Sequence, residues 1–116
     1  MARTELTETN GGKSPKSVPV TDIHRLEACA KFTLAHYGEK MLILHESLTT
    51  LEKDMERVFF RAHRAHLVPL AAIKAIHGEQ RARQFLELEG SAAQVPLARR
   101  KLKPLLKLRP DLRPHA

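Results

Sequence analysis

Aromatic side chains are scarce in this chain: four Phe, one Tyr and no Trp in 116 residues. Platforms for single-stranded nucleic acid need exposed ring faces on which bases stack, so the composition argues against that class of binder. It also argues against a typical β-sandwich. Cys29 is the single cysteine, which leaves no disulfide within the chain and no cysteine-built zinc site. Phosphate-cradling glycine loops, a G-x-S-x-G elbow and an H-E-x-x-H pair are all missing. No apolar run exceeds Leu67–Ile73, far short of the roughly 20 residues of a membrane-spanning helix. The first residues carry no apolar stretch of the kind a secretory signal needs. The expectation is one cytoplasmic domain without a transmembrane segment, cofactor or metal, and without enzymatic activity.

Acidic residues are missing from one region in particular. After Gly90 the chain holds Arg99, Arg100, Lys101, Lys103, Lys107, Arg109 and Arg113 against Asp111 alone, so most of the formal net charge of +7 is local. A concentrated cationic segment is an electrostatic footprint for nucleic acid, an acidic protein or an anionic surface. Lysine and arginine neutralise phosphates and release counterions, and arginine adds bidentate geometry. Leu97, Leu102, Leu105, Leu106, Leu108 and Leu112 interleave with these charges. That suits a peptide docking into a partner's groove, or leucines folding back on the chain's own apolar surface.

Proline and glycine are sparse in the middle of the chain, and the apolar spacing there reads as helical. Thr21-Asp22 offers a helix start. Met41, Leu44, Leu48, Leu51, Met55 and Val58 then alternate steps of three and four. The pattern predicts either one helix over 22–66, about 66 Å long at 1.5 Å per residue, or two helices meeting at Gly38. Pro69 suits the first turn of a second helix over 70–89, ended by Gly90-Ser91. The expected fold is all-α: a long amphipathic helix with a shorter one antiparallel to it, as a helical hairpin or small bundle. Residues 1–20 read as a disordered arm, 21–90 as the helical domain and 91–116 as a basic tail with proline and leucine. A short second helix cannot cover a continuous long one, so the stripe from Met41 to Val58 is the expected oligomerisation face of a homodimer. Its charged flanks do not pair well in a parallel coiled coil, and packing within a bundle is the simpler use of most of these residues.

Other constellations are weak. A helix-turn-helix over 70–89 would turn at Gly78 and offer Arg81, Arg83 and Gln84 to base edges, but Lys74 and Glu79 stand where small and apolar residues are wanted. His63 and His66 share a helical spacing, yet two imidazoles do not make a metal site. Cys29 with His24, His36 or His45 would be a nucleophile only if exposed and activated, and mid-helix cysteine is more often a small buried hydrophobe. The sequence reading is a small basic nucleic-acid-binding accessory or regulatory protein that contacts phosphates through its C-terminal strip. The alternative is a protein-interaction adaptor or chaperone-like protein whose tail docks on a partner.

Overall fold

The computed structural model of the protein describes residues 3–8, 16–78 and 83–112. The chain is β-rich and its long central helix does not exist. Among the described residues ten strands form three antiparallel sheets. Strands β1 (Glu5–Thr7) and β2 (Ser17–Pro19) pair with each other. A five-stranded sheet follows, built from β3 (Arg25–Cys29), β4 (Phe32–Tyr37), β5 (Lys40–Leu44), β6 (Phe59–His63) and β7 (His66–Pro69), in the order β5-β4-β3-β7-β6. The third sheet orders β8 (Ile73–His77), β9 (Gln84–Leu88) and β10 (Gln94–Leu97) as β10-β9-β8. The described residues also form two short α-helices, α1 (Leu48–Asp54) and α2 (Leu102–Leu108).

The expected helix over 22–66 is thus β3, β4, β5, α1, β6 and β7. Its interior is cut by two-residue turns. Gly38-Glu39 joins Tyr37 to its partner Lys40, with Gly38 at φ 54, the left-handed backbone that tight hairpins favour. Ala30-Lys31 does the same between Cys29 and Phe32, with Ala30 at φ 55. An alanine resists that conformation by roughly 1–2 kcal/mol, so nothing in the local sequence announces the turn. Between the turns burial alternates with the strand period of two. Thr33 and Ala35 are buried on β4, and Leu42 and Leu44 on β5.

The heptad stripe is a coincidence of these elements. Met41 and Val58 are exposed, Leu44 is on a strand, and Leu48 and Leu51 belong to α1, with Met55 at its C-cap. The six residues never share one helical face, so the expected helical oligomerisation surface is lost with the helix. Where a helix does form, its cap is right: Ser47 Oγ accepts the Thr50 N–H at 3.2 Å. The second expected helix, over 70–89, is a 3-10 turn at Leu70–Ala72 followed by β8 and β9. Glu79 and Arg81 of the helix-turn-helix reading lie outside the described residues.

Two hydrophobic cores sit on opposite faces of the five-stranded sheet. One gathers Leu6 and Val18 of the small hairpin, Leu26, Ala35, Leu42 and Leu44 of the sheet, and Leu48, Leu51 and Met55 at α1. The other joins Phe60, Ala62 and Val68 to Ile73, Leu86, Val95 and the leucines of the C-terminal segment. Successive residues of β6 and β7 serve both: Phe59 and Leu67 face the first core, Phe60 and Val68 the second. Leu102, Leu105 and Leu112 are buried in the second core, and Leu106 packs against it. Except for Leu108, which is exposed, the leucines between the basic residues therefore complete the protein's own interior. The described part of this segment is folded: Leu102–Leu108 is helical and Pro110–Leu112 is a 3-10 turn. Pro104 is accommodated because it lies in the first turn of α2, where backbone N–H groups have no intrahelical acceptor.

The outer face of β3 and β4 carries a polar cluster. Glu27 lies 2.6 Å from His36 Nε2 and 3.3 Å from an Arg25 nitrogen, and it faces His66 across the β3–β7 ladder. Burial pushes the Glu27 carboxyl up, but its bond to His36 and the neighbouring cations outweigh this and hold it below the usual range. His66 shifts down, first because burial disfavours its charged form and then because His63, Arg25 and His36 are close, against the pull of Glu27. Its Nδ1 is buried without a hydrogen-bond partner.

Two outcomes follow for stability. Leu105→Ala should cost about 2–5 kcal/mol by removing a fully buried side chain, read as a lower urea midpoint at unchanged m-value. Because the folded chain protonates His66 less readily than the unfolded one, stability should fall as pH drops below about 6.5 and level off below the folded value. Glu27 adds a separate loss at pH values below the ordinary carboxylate range. His66→Gln should flatten the first of these, measured by urea unfolding at pH 7.5 and 5.5.

Candidate nucleic-acid interface

The antiparallel order of β6, β7, β3 and β4 places two hairpin turns at one end of the five-stranded sheet. They are Ala30-Lys31 between β3 and β4, and Arg64-Ala65 between β6 and β7. The Ala28 N–H donates to the Ala65 carbonyl at 2.9 Å, which ties the two turns together. A third segment joins them. The Ala98 N–H donates to the Ala62 carbonyl at 2.8 Å, so the 3-10 turn Arg99–Lys101 begins beside β6. Pairing of Gln84 with Leu97 brings Arg83 to the same end. Lys31, Arg64, Arg83, Arg99, Arg100 and Lys101 are therefore gathered from four separate stretches of sequence.

Two open clefts run between these segments. The larger, about 610 Å³, is lined by His63, Arg83, Gln84, Leu97 and Arg99 among others. The smaller, about 230 Å³, is lined by Arg61, Arg64, Arg100, Lys101, Ala98 and Glu52. Among the described residues that line the two clefts, Glu52 is the one carboxylate, and its Oε1 already accepts from Arg61 Nη1 at 2.9 Å. Cations therefore outnumber acids among the described lining residues. Such a surface raises the local concentration of polyanions and binds phosphate oxygens.

The cations singled out from sequence divide along the fold. Arg99, Arg100 and Lys101 stand at the basic end. Lys103 and Lys107 lie on the exposed side of α2. Arg109 is held by the chain itself: its Nη1 donates to the Leu70 carbonyl at 2.7 Å, and its guanidinium makes a two-point contact with Asp111 at 2.8 and 2.9 Å. That contact raises the Arg109 pKa and lowers that of Asp111. Arg113 lies outside the described residues. Lys31 escaped the sequence reading because it is an isolated cation among neutral neighbours. That reading offers Arg83 only to base edges in a helix-turn-helix, and gives Arg64 no part in the interface. Strand pairing brings the three beside Arg99–Lys101.

The other candidates resolve by geometry. His63 and His66 face each other across the β6–β7 turn with ring centroids 5.6 Å apart. His63 Nδ1 accepts the Ala65 N–H at 3.2 Å, and no cluster of three potential metal ligands forms among the described residues. Cys29 is exposed at the end of β3 rather than buried in a helix. No helix among the described residues is long and apolar enough to cross a membrane.

The comparisons agree on a β-rich scaffold and place the chain in a family. Among solved structures the chain is similar to the LytTr DNA-binding domain assigned to a methyl-accepting/DNA response regulator of Bacillus cereus. That match has a TM-score of 0.77 at 24% identity and covers 92% of this chain and 97% of the other. No curated protein matches the sequence. The model of the LytTr DNA-binding domain family matches residues 13–109. With nearly the whole described fold inside that match, the chain belongs to the LytTr DNA-binding domain family.

Proposed function

We propose that this chain is the DNA-contacting domain of a cytoplasmic transcription regulator, and that the end carrying Lys31, Arg64, Arg83, Arg99, Arg100 and Lys101 faces the duplex. The observation that carries the reading is the convergence of these cations on two hairpin turns and one 3-10 turn, with Glu52 already paired to Arg61. Family membership supports DNA as the polyanion. The relative's description as a DNA response regulator supports a regulatory setting.

The division of labour follows from chemistry. Arg100 and Lys101, exposed or half-exposed beside the smaller cleft, suit phosphate contacts that set position and register. Arg64 sits in the turn of the β6–β7 hairpin, at the end of the five-stranded sheet beside the Ala30-Lys31 turn. Its guanidinium suits the paired acceptors of a guanine edge or a phosphate. Lys103 and Lys107 extend the positive field along α2 without belonging to either cleft. Arg109, already given to Asp111 and the Leu70 carbonyl, has a structural role in this reading.

Duplex binding measured by fluorescence anisotropy at several salt concentrations between 50 and 200 mM tests this directly. The full chain should lose affinity steeply with salt. Arg64→Ala, Arg100→Ala and Lys101→Ala should each weaken binding and reduce the slope of log K against log salt by about 0.9 for every phosphate left without its cation. Lys107→Ala should change little. Equal losses from Lys107→Ala and Arg64→Ala would move the interface to α2. Point substitutions are required because ending the chain at Gly90 removes β10 and the leucines that close the second core.

A further inference from the structure

The two-residue turn that presents Arg64 differs from its neighbours in how it is held. In the Ala30-Lys31 and Gly38-Glu39 turns the first residue takes a positive φ, which matches the twist of the flanking strands. Ala30 is the one non-glycine residue with positive φ among the described residues, so neither Arg64 nor Ala65 adopts it. The β6–β7 ladder instead shifts register between Arg61 and His63, a bulge of the kind that re-aims backbone and side chains.

The backbone of this turn is gripped by one side chain. Arg61 Nε donates to the His63 carbonyl at 3.0 Å and Nη2 to the Arg64 carbonyl at 2.5 Å. Nη1 meets Glu52 Oε1 at 2.9 Å, which anchors the guanidinium to α1. All three nitrogens are engaged, and the side chain is only 15% exposed. The charge is balanced by Glu52, leaving Arg61 little to offer a phosphate.

We infer that Arg61 is a positioning residue of the DNA interface: it fixes the turn that carries Arg64 and does not itself contact the duplex. The inference rests on the reading that this end faces DNA. A planar guanidinium bridges two carbonyls and a carboxylate at once. A lysine keeps the charge but presents a single ammonium that cannot span the three. Charge and geometry are therefore separable at this position.

The test is a double-mutant cycle of Arg61→Lys with Arg64→Ala in the full chain, with duplex DNA affinity and backbone amide exchange of the free protein as readouts. Arg61→Lys should weaken DNA binding roughly tenfold in the Arg64 background, by about as much as Arg64→Ala does. It should have almost no further effect once Arg64 is alanine. In the free protein it should speed exchange of the Ala65 amide and its immediate neighbours and leave the strands protected. Equal losses in both backgrounds would overturn the inference, because Arg61 would then act on DNA by itself. A rise in exchange across the whole molecule would overturn it in favour of a general stabilising role, and an unchanged turn would also overturn it. If Arg64→Ala leaves DNA binding intact while the turn still loosens in Arg61→Lys, Arg61 holds the turn but the placement of Arg64 at the interface is wrong.

Discussion

Two-sided burial of β6 and β7 is the constraint on which the rest of the structure depends. A strand points successive side chains to opposite faces, and here both faces are apolar: Phe59 and Leu67 on one, Phe60 and Val68 on the other. This single pair of strands therefore belongs to two cores. The small hairpin and α1 cover one side, while the third sheet and α2 cover the other. The elongated shape, with principal extents of 53, 27 and 23 Å, accords with cores set on opposite faces of one sheet.

The same strands build the proposed interface. Once β6 and β7 are committed to two cores, their connecting turn must emerge at one end. The pairing of β3 with β7 places the Ala30-Lys31 turn beside it. The bond from Ala98 to Ala62 then delivers Arg99–Lys101 to that end. Backbone hydrogen bonds made for packing reasons thus assemble charges that are far apart in sequence. The acid close to the patch is neutralised within the chain: Glu52 by Arg61, and more remotely Glu46 by Arg3, whose Nη2 donates to Glu46 Oε1 at 2.9 Å. Electrostatic attraction for a polyanion is a property of this convergence more than of total charge.

Part of this was legible in the chain and part was not. The cationic cluster at Arg99, Arg100 and Lys101 is local in sequence, and a local charge run survives any fold. The leucines around it are equally visible, but their role was open between docking on a partner and folding back, and burial of Leu102, Leu105 and Leu112 decides for folding back. The apolar steps from Met41 to Val58 misled because a short buried strand, a turn and a helix placed in series can mimic a 3.5-residue period. The clue against a helix was the short apolar run Met41-Leu42-Ile43-Leu44 right after Gly38-Glu39, a strand following a tight turn. Scarcity of aromatics spoke against a typical β-sandwich, and the two cores are filled by Val, Ile, Leu, Met and Ala with two adjacent phenylalanines.

By itself the sequence determined that the chain is strongly basic, that much of the charge sits beyond Gly90, and that no cysteine-built metal site or phosphate-cradling glycine loop is encoded. These are properties of composition and local order, and folding cannot change them. Tertiary structure alone decided which cations stand together, since Lys31, Arg64 and Arg83 reach Arg99–Lys101 only through antiparallel pairing and two interstrand N–H bonds. It also decided that Arg61, one more basic residue in the sequence, is spent on two carbonyls and a carboxylate. The physical reason is the same in both cases. A hydrogen bond or ion pair depends on distances of about 3 Å, and a linear sequence carries no distances between residues far apart along it.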